Sequence, residues 1–159
     1  MRDAGYTLQN HMLTGAEKRE ICSWKYSGEY AIYNLPSYEN MQAKQIGFLN
    51  PAREQNYRAF YDGDFLVGFV NIKEEETEVF IGIGVKPELC SKGYGQRILH
   101  ETYRISKELY PDKPLYLEVR TWNERAIRCY QKVGFEIVGA PFEQRTGSGA
   151  GTFYRMVKE

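Results

Sequence analysis

The stretch VKPELCSKGYGQ, residues 85–96, decides how the rest of the chain reads. Gly93 and Gly95 flank Tyr94, Lys92 stands just before them, and a long amphipathic segment follows. The run before it, EVFIGIGV at 78–85, is β-rich and predicts a strand. A strand that ends in a short glycine-bearing loop and enters a helix presents backbone amides where an anion can approach them. Two well-known forms of such a loop are absent. No lysine follows either glycine as G-x-x-x-x-G-K-[ST] requires, and Ile98 stands where G-x-G-x-x-G needs its third glycine.

Outward from this loop the chain alternates helix and strand signals. Ile98, Leu99, Thr102, Ile105 and Leu109 recur at helical spacing, and Pro111 and Pro114 close that helix near Tyr110. Residues 115–119 (LYLEV) form the next strand, 124–133 a helix ended by Gly134, and 135–139 a further strand. Residues 145–151 (RTGSGAG) read as a flexible loop before a last strand at 152–157. Upstream, 57–61 and 65–72 flank Asp62-Gly63 as a hairpin, and the acidic run 74–76 is a solvated tip leading into strand 78–85. Residues 6–12 form a first strand, after which Thr14 and Glu17 open a helix as a capping box, running through about Trp24. Residues 26–50 are aromatic-rich and loosely patterned, with a short helix after Pro36. Antiparallel hairpins joined to a strand-helix-strand crossover make an α+β, or mixed α/β, sheet.

A second segment, LEVRTWNERAIRCYQKVGFE at 117–136, sharpens this. Asn123, Ala126, Ile127 and Tyr130 lie one and two turns apart and share a helix face. Asn123 reads either as the helix N-cap or, if Thr121 and Glu124 form a capping box, as a freed polar group. Tyr130 reads either as a core aromatic or as a site residue. Taken in order, the two segments resemble the GNAT superfamily of acetyl-coenzyme A-dependent N-acetyltransferases. Val85-Lys86-Pro87 and then Cys90-Ser91-Lys92-Gly93-Tyr94-Gly95 match the family's Val-x-Pro strand end and its Arg/Gln-x-x-Gly-x-Gly/Ala loop, with Cys90 at the Arg/Gln position. Glu118-Val119, Asn123, Tyr130 and Gly134-Phe135 match its later motif of strand, Asn, helix with Tyr, and Gly-Phe.

The resemblance implies one domain over 1–159 with a GNAT-like three-layer fold: a mostly antiparallel twisted sheet, a splayed parallel central strand pair, and helices on both faces. It implies that the amides of Cys90, Ser91, Lys92, Gly93, Tyr94, Gly95 and Gln96 hold the coenzyme A pyrophosphate. The pantetheine arm then runs between strand 80–85, at Ile83, Gly84 and Val85, and strand 115–119, with Asn123 and Ala126 beside it. Gly82 and Gly84 suit either the close approach of another backbone or packing against a large neighbour. The Cys90 thiol is a poor donor, so the backbone is expected to do most of the holding.

The implied reaction is direct attack of a substrate amine on the acetyl thioester, with Tyr130 as the acid facing the sulfur. A thiol titrates near ~8.5 and a tyrosine near ~10, so full transfer to the thiolate is uphill by about 2 kcal/mol. Tyr130 therefore helps chiefly by hydrogen bonding, while backbone amides near Ile83 to Val85 polarise the carbonyl. Deprotonating a lysine-like amine at pH 7 costs about 4.6 kcal/mol, so an acceptor is needed. Glu78, Glu118 and ordered water are the candidates, because the family's glutamate position falls here on Val79. Trp24, Tyr26, Tyr30 and Tyr33 either line an acceptor pocket or pack the first helices on the sheet.

Composition narrows the partners. The 159 residues carry 21 basic and 21 acidic side chains, so no overall field draws the chain to nucleic acid. The apolar runs are too short to span a membrane, and MRDAGYTLQN lacks a signal-peptide core, which predicts a cytoplasmic protein. Cys22, Cys90 and Cys129, odd in number and widely spaced, suit reduced thiols, and His11 and His100 are too far apart in sequence to suggest a metal site. The expected partners are acetyl-coenzyme A and a small-molecule or peptide amine, not nucleic acid or membrane, with monomer and homodimer both open. Two rival readings are a non-catalytic acyl-coenzyme A sensor and a nucleotide-binding regulator.

Overall fold

The computed structural model describes residues 7–159. Of the expected first strand, Tyr6 lies outside the described residues and Gln9–Met12 forms β1. The capping box is present: Glu17 N donates to Thr14 Oγ1 at 3.2 Å and Thr14 N to Glu17 Oε1 at 2.9 Å, opening α1 (Gly15–Cys22), which stops short of Trp24. Ser37 caps α2 (Tyr38–Lys44) in the loosely patterned region. The hairpin of β2 (Tyr57–Asp62) and β3 (Phe65–Glu74) turns at Gly63, whose φ of +60° is easy only for glycine. Then follow β4 (Val79–Val85), α3 (Tyr94–Leu109), β5 (Leu115–Arg120), α4 (Glu124–Val133), β6 (Glu136–Thr146) and β7 (Gly149–Lys158).

The strands form one 7-stranded sheet in the order β1-β2-β3-β4-β5-β7-β6. Every neighbouring pair is antiparallel except β4 and β5, which α3 connects as a crossover. Strand alternation assigns the faces. Val79, Ile81, Leu115, Leu117 and Val119 bury against Ile98 and Leu99 of α3 and Val133 of α4. On the other face Trp24, Met41, Phe48 and Leu66 form a second core under α1 and α2. The result is a three-layer α+β fold with helices on both faces of a mostly antiparallel sheet. Phe60, Val67 and Val70 are wholly buried, each contributing roughly 1.5–3 kcal/mol. The strands that carry the site are thus held on both faces.

Residues 145–151 are not a flexible loop but the end of a long hairpin, since β6 and β7 pair down to Thr146↔Gly149 around the turn Gly147-Ser148. β7 is also paired to β5, from Leu115↔Lys158 to Arg120↔Phe153. That ladder imposes strand order on a glycine-rich segment whose composition conceals it, as tertiary pairing commonly does for strands. The acidic tip is likewise less solvated than expected: Lys113 Nζ reaches Glu74 at 2.7 Å and Tyr116 Oη donates to Glu75 at 2.8 Å.

Candidate active site

The parallel ladder between β4 and β5 is only two pairs long, Val79↔Leu115 and Phe80↔Tyr116. Beyond it the strands part and enclose a cavity of about 790 Å³, in the size range of ligand pockets. Val79 N donates across the pair to Pro114 O, whereas Lys86 N donates to Val67 O on the β3 side. Backbone groups alternate in direction along a strand, so Ile83 and Val85 turn their N–H groups into the widened gap, where no strand pairs with them. The Val85 carbonyl is already engaged, accepting from Tyr26 Oη at 2.7 Å. Gly84 is glycine for a packing reason: a Cβ there would run into the Phe69 ring, while one at Gly82 would make ordinary contacts at 3.5 and 3.6 Å.

At the wide end of the cavity stands the N-terminus of α3. Ser91 and Gly93 take left-handed backbone angles, φ +64° and +89°, which curl the loop into the start of the helix. Gly93 gives the helix no side-chain cap and its first turn holds no acidic residue. The first intrahelical bond is Arg97 N to Gly93 O, which leaves the amides of Tyr94, Gly95 and Gln96 without a partner in the helix. Gly95 keeps this turn close to α4, since a Cβ there would sit 3.0 Å from Cys129 Sγ. Cys90, Ser91, Gly93, Gly95 and Gln96 line the cavity; Lys92 and Tyr94 do not. Tyr94 turns away to donate to Asp62 Oδ2 at 2.7 Å, leaving only its amide near the loop. Cys90 Sγ points back at the Lys86 and Val85 carbonyls, 3.7 and 3.8 Å away. Burial raises its thiol, Arg125 opposes and Glu88 adds to the rise, so it is no activated thiolate.

α4 supplies the third wall, and its ends explain its motif. Asn123, not a Thr121–Glu124 box, caps the helix: its side-chain oxygen accepts from Ala126 N at 3.1 Å while Nδ2 donates to Tyr33 Oη at 3.1 Å. The polar group that a box would have freed is thus engaged through both its oxygen and its nitrogen. At the other end Gly134 is left-handed at φ +106°, Gly134 N bonds Gln131 O, and Phe135 N bonds Tyr130 O, the two bonds of a Schellman motif. This termination, with Phe135 buried beneath it, fixes the turn that carries Tyr130. Tyr130 lines the cavity, and its hydroxyl makes no hydrogen bond among the described residues. Burial, then Cys129 and Tyr33, raise its phenol above the usual tyrosine value, and Arg125 works against them.

The remaining wall lies on the opposite face of the sheet. Trp24, Tyr26, Tyr30, Tyr33, Phe69 and Phe153 line it. Trp24 is both cavity wall and core, and the Trp122 ring braces Tyr30 and Tyr33 at 5.6 and 6.1 Å. Glu118 lines the cavity and accepts from Gln144 Nε2 at 2.9 Å. Glu78 is occupied elsewhere, paired with Arg155, and Val79 is wholly buried. Of the two carboxylates expected as proton acceptors, only Glu118 faces the cavity.

Residues 18–135 match the acetyltransferase (GNAT) family. The chain belongs to that family. It is 36% identical to an N-alpha-acetyltransferase of Sulfurisphaera tokodaii over 84% of its own length and 81% of the relative's. Among solved structures, an acetyltransferase (GNAT family) of Bacillus anthracis superposes with a TM-score of 0.76 at 14% identity, covering 96% of this chain and 94% of that one. A spermidine N-acetyltransferase of Vibrio cholerae, solved with CoA and spermine, gives 0.73 at 20% identity over 96% and 95%. At those identities the two structures speak to the fold alone. The chain is therefore an acetyltransferase, and the GNAT motifs lie around one cleft. Sequence reasoning missed Phe69, Arg120, Arg125 and Phe153 on its walls. Their signal was faint: each sits where an ordinary strand or helix residue would be expected.

Proposed function

We propose that this GNAT protein moves an acetyl group from acetyl-coenzyme A to a primary amine of a small molecule or peptide, with residues 1–159 acting as one domain. One observation carries the reading. A gap lined by the free N–H groups of Ile83 and Val85 runs from the uncapped mouth of α3 to a hydroxyl, that of Tyr130, with no partner of its own. The residues fit the cofactor: orphaned amides at a helix N-terminus suit a diphosphate, and an unpaired strand edge suits an amide-bearing arm.

Acetyl-coenzyme A, when bound, supplies an activated acetyl thioester. Ile83 and Val85 N–H groups would polarise its carbonyl, dipoles fixed in place before any charge develops. The raised phenol of Tyr130 makes complete proton release still less favourable, so its hydroxyl serves as a hydrogen-bond donor to the departing sulfur. Glu118, directly or through water, takes the proton of the incoming amine. A peptide α-amine, with pKa near ~7.7–8.0, needs only about 1 kcal/mol to deprotonate at pH 7, far less than a lysine-like amine. That economy, and the N-alpha-acetyltransferase name of the Sulfurisphaera relative, favour an α-amine acceptor. Cytoplasmic residence fits the three free cysteines, and no described helix is long and apolar enough to cross a membrane.

The test is release of free thiol from acetyl-coenzyme A in the presence of peptide α-amines, amino acids and polyamines, alongside calorimetric binding of acetyl-coenzyme A alone. The expected result is submillimolar binding and thiol release with at least one α-amine. Tight binding with no release to any amine would return the chain to a sensor role, and no binding at all would remove the cofactor reading.

A further inference from the structure

Arg120 closes β5 two residues beyond Glu118, on the same strand face and roughly 7 Å along it. It is 4% exposed and lines the cavity. Nη1 donates to Ala150 O at 3.3 Å, and Nη2 to Gly149 O at 3.3 Å and Thr146 Oγ1 at 3.4 Å. These are neutral oxygens at the long end of hydrogen-bond distance. The guanidinium also lies 4.8 Å from the centre of the Phe153 ring, and Gly151 lacks the side chain that would displace it. Among the described residues no carboxylate comes within ion-pair distance of it.

A guanidinium does not lose its proton inside a protein, and a buried charge without a counter-charge is rare because it is costly. The groups packed around Arg120 do not supply one. On β5, Glu118 makes no ion pair with Arg120 and bonds the neutral Gln144 amide instead; on β7, Arg155 is cationic and tied to Glu78; on α4, Arg125 lies 3.9 Å from the Tyr30 ring centre. Burial raises the Tyr33 phenol, and the Asn123 hydrogen bond and then the Arg120 charge partly lower it. What is missing is an anion, and the place for it is the cavity.

We propose that Arg120 selects the acceptor by pairing with a carboxylate carried close to the reacting amine, which Glu118 faces. The inference rests on the acetyltransferase reading above and narrows it. A planar fork suits a carboxylate in bidentate contact, and the Glu118–Arg120 spacing matches a substrate that is amine at one point and carboxylate a few bonds away. Two sources share this chemistry: the carboxylate of a free amino acid, and the acidic side chain of a peptide whose first or second residue is Asp or Glu. A polyamine would instead bring a second cation against Arg120 and Arg125.

The experiment compares matched acceptors with the full chain at saturating acetyl-coenzyme A. One arm sets free amino acids against their carboxamides; the other sets peptides beginning with Asp or Glu at the first two positions against their Asn or Gln counterparts. Spermidine is the cationic control. In one arm kcat/KM should favour the carboxylate member by roughly 10- to 100-fold, the usual size for a hydrogen-bonded charged group. Arg120→Gln should collapse that ratio toward one, and Arg120→Lys should restore part of it. Acetyl-coenzyme A binding, measured on each variant, shows that the fold is intact. Equal rates for both members of every pair in the wild-type chain overturn the proposal even if the variants fail to fold. So does an Arg120→Gln loss that falls equally on acid and amide, which would make Arg120 only a brace for the β6–β7 hairpin. Thiol release with neutral acceptors alone would sink this inference while sparing the parent reading; no release with any acceptor would sink both.

Discussion

The two sides of the cleft are built from different parts of the polypeptide. On the side of α3 and α4 the working groups are mostly main chain: the Ile83 and Val85 amides, and the amides at the mouth of α3. On the far side they are side chains: the Tyr26, Tyr30 and Tyr33 rings, Glu118, Arg120 and Phe153. A backbone site constrains sequence only through conformation, at residues such as Gly93 and Gly134 whose angles few others adopt. A side-chain site constrains nothing that a helix or strand pattern reveals. On the proposed reading, the side built of main chain takes the cofactor and is generic to the fold, and the side built of side chains takes the acceptor and carries this chain's own chemistry.

Tyr130 is the exception, a side chain on the backbone-built side, and it gives the largest expected effect. Tyr130→Phe should lower kcat by roughly 10²-fold, within the range for acid catalysis, while the Kd for acetyl-coenzyme A stays within a factor of about two. Steady-state kinetics and calorimetry on one preparation check both halves. A parallel loss of binding would mean that the ring holds the arm and that this side does not rest on main chain. The pH profile adds a sign. The donating form is the protonated phenol and its pKa is raised, so wild-type kcat at saturating amine should show no alkaline fall due to Tyr130 below about pH 10. An alkaline limb near pH 8–9 that disappears in Tyr130→Phe contradicts this.

Glycines sharpen the comparison at a smaller scale. Gly84→Ala drives a methyl group into the Phe69 ring and should cost about 1–3 kcal/mol, lowering Tm by several degrees in thermal unfolding. Gly82→Ala meets only ordinary contacts and should be neutral or stabilising by about 0.5–1 kcal/mol, since strand glycine carries an entropic cost. Both substitutions should leave acetyl-coenzyme A binding nearly unchanged at temperatures where the fold is intact. If Gly82→Ala instead weakens binding without changing Tm, that glycine serves the approach of a ligand backbone.

The same division explains what could be read in advance. The succession of elements from the capping box at Thr14 through α4 follows from local patterns, because each element is signalled by residues near in sequence. The Asn123 cap had a local competitor in Thr121 and Glu124, and the sequence gives no sign of the second bond Asn123 makes, from its amide to Tyr33, ninety residues distant. The β6–β7 hairpin was hidden for a similar reason: its order comes from pairing with β5, while GSGAG alone reads as a turn. Arg120 was hidden most completely. A charged residue at a strand end ordinarily reaches solvent, and only the Gly151 gap, the Phe153 ring and the hairpin carbonyls bury it.

Cys90 gives the smallest effect and bears most directly on whether main chain does the holding. It stands where the GNAT loop usually has Arg or Gln, and its thiol faces two backbone carbonyls rather than the mouth of α3. If the amides hold the diphosphate, an Arg at this position only adds a charge at the rim of an exposed loop, worth about 0–1 kcal/mol. Cys90→Arg should then leave the Kd for acetyl-coenzyme A equal or up to about fivefold tighter, with any gain shrinking as salt shortens the Debye length. A tenfold weakening would mean that the packed thiol sets the curl through Ser91 and Gly93, so that one side chain governs the backbone geometry. The boundary between the two kinds of wall would then run through the loop itself.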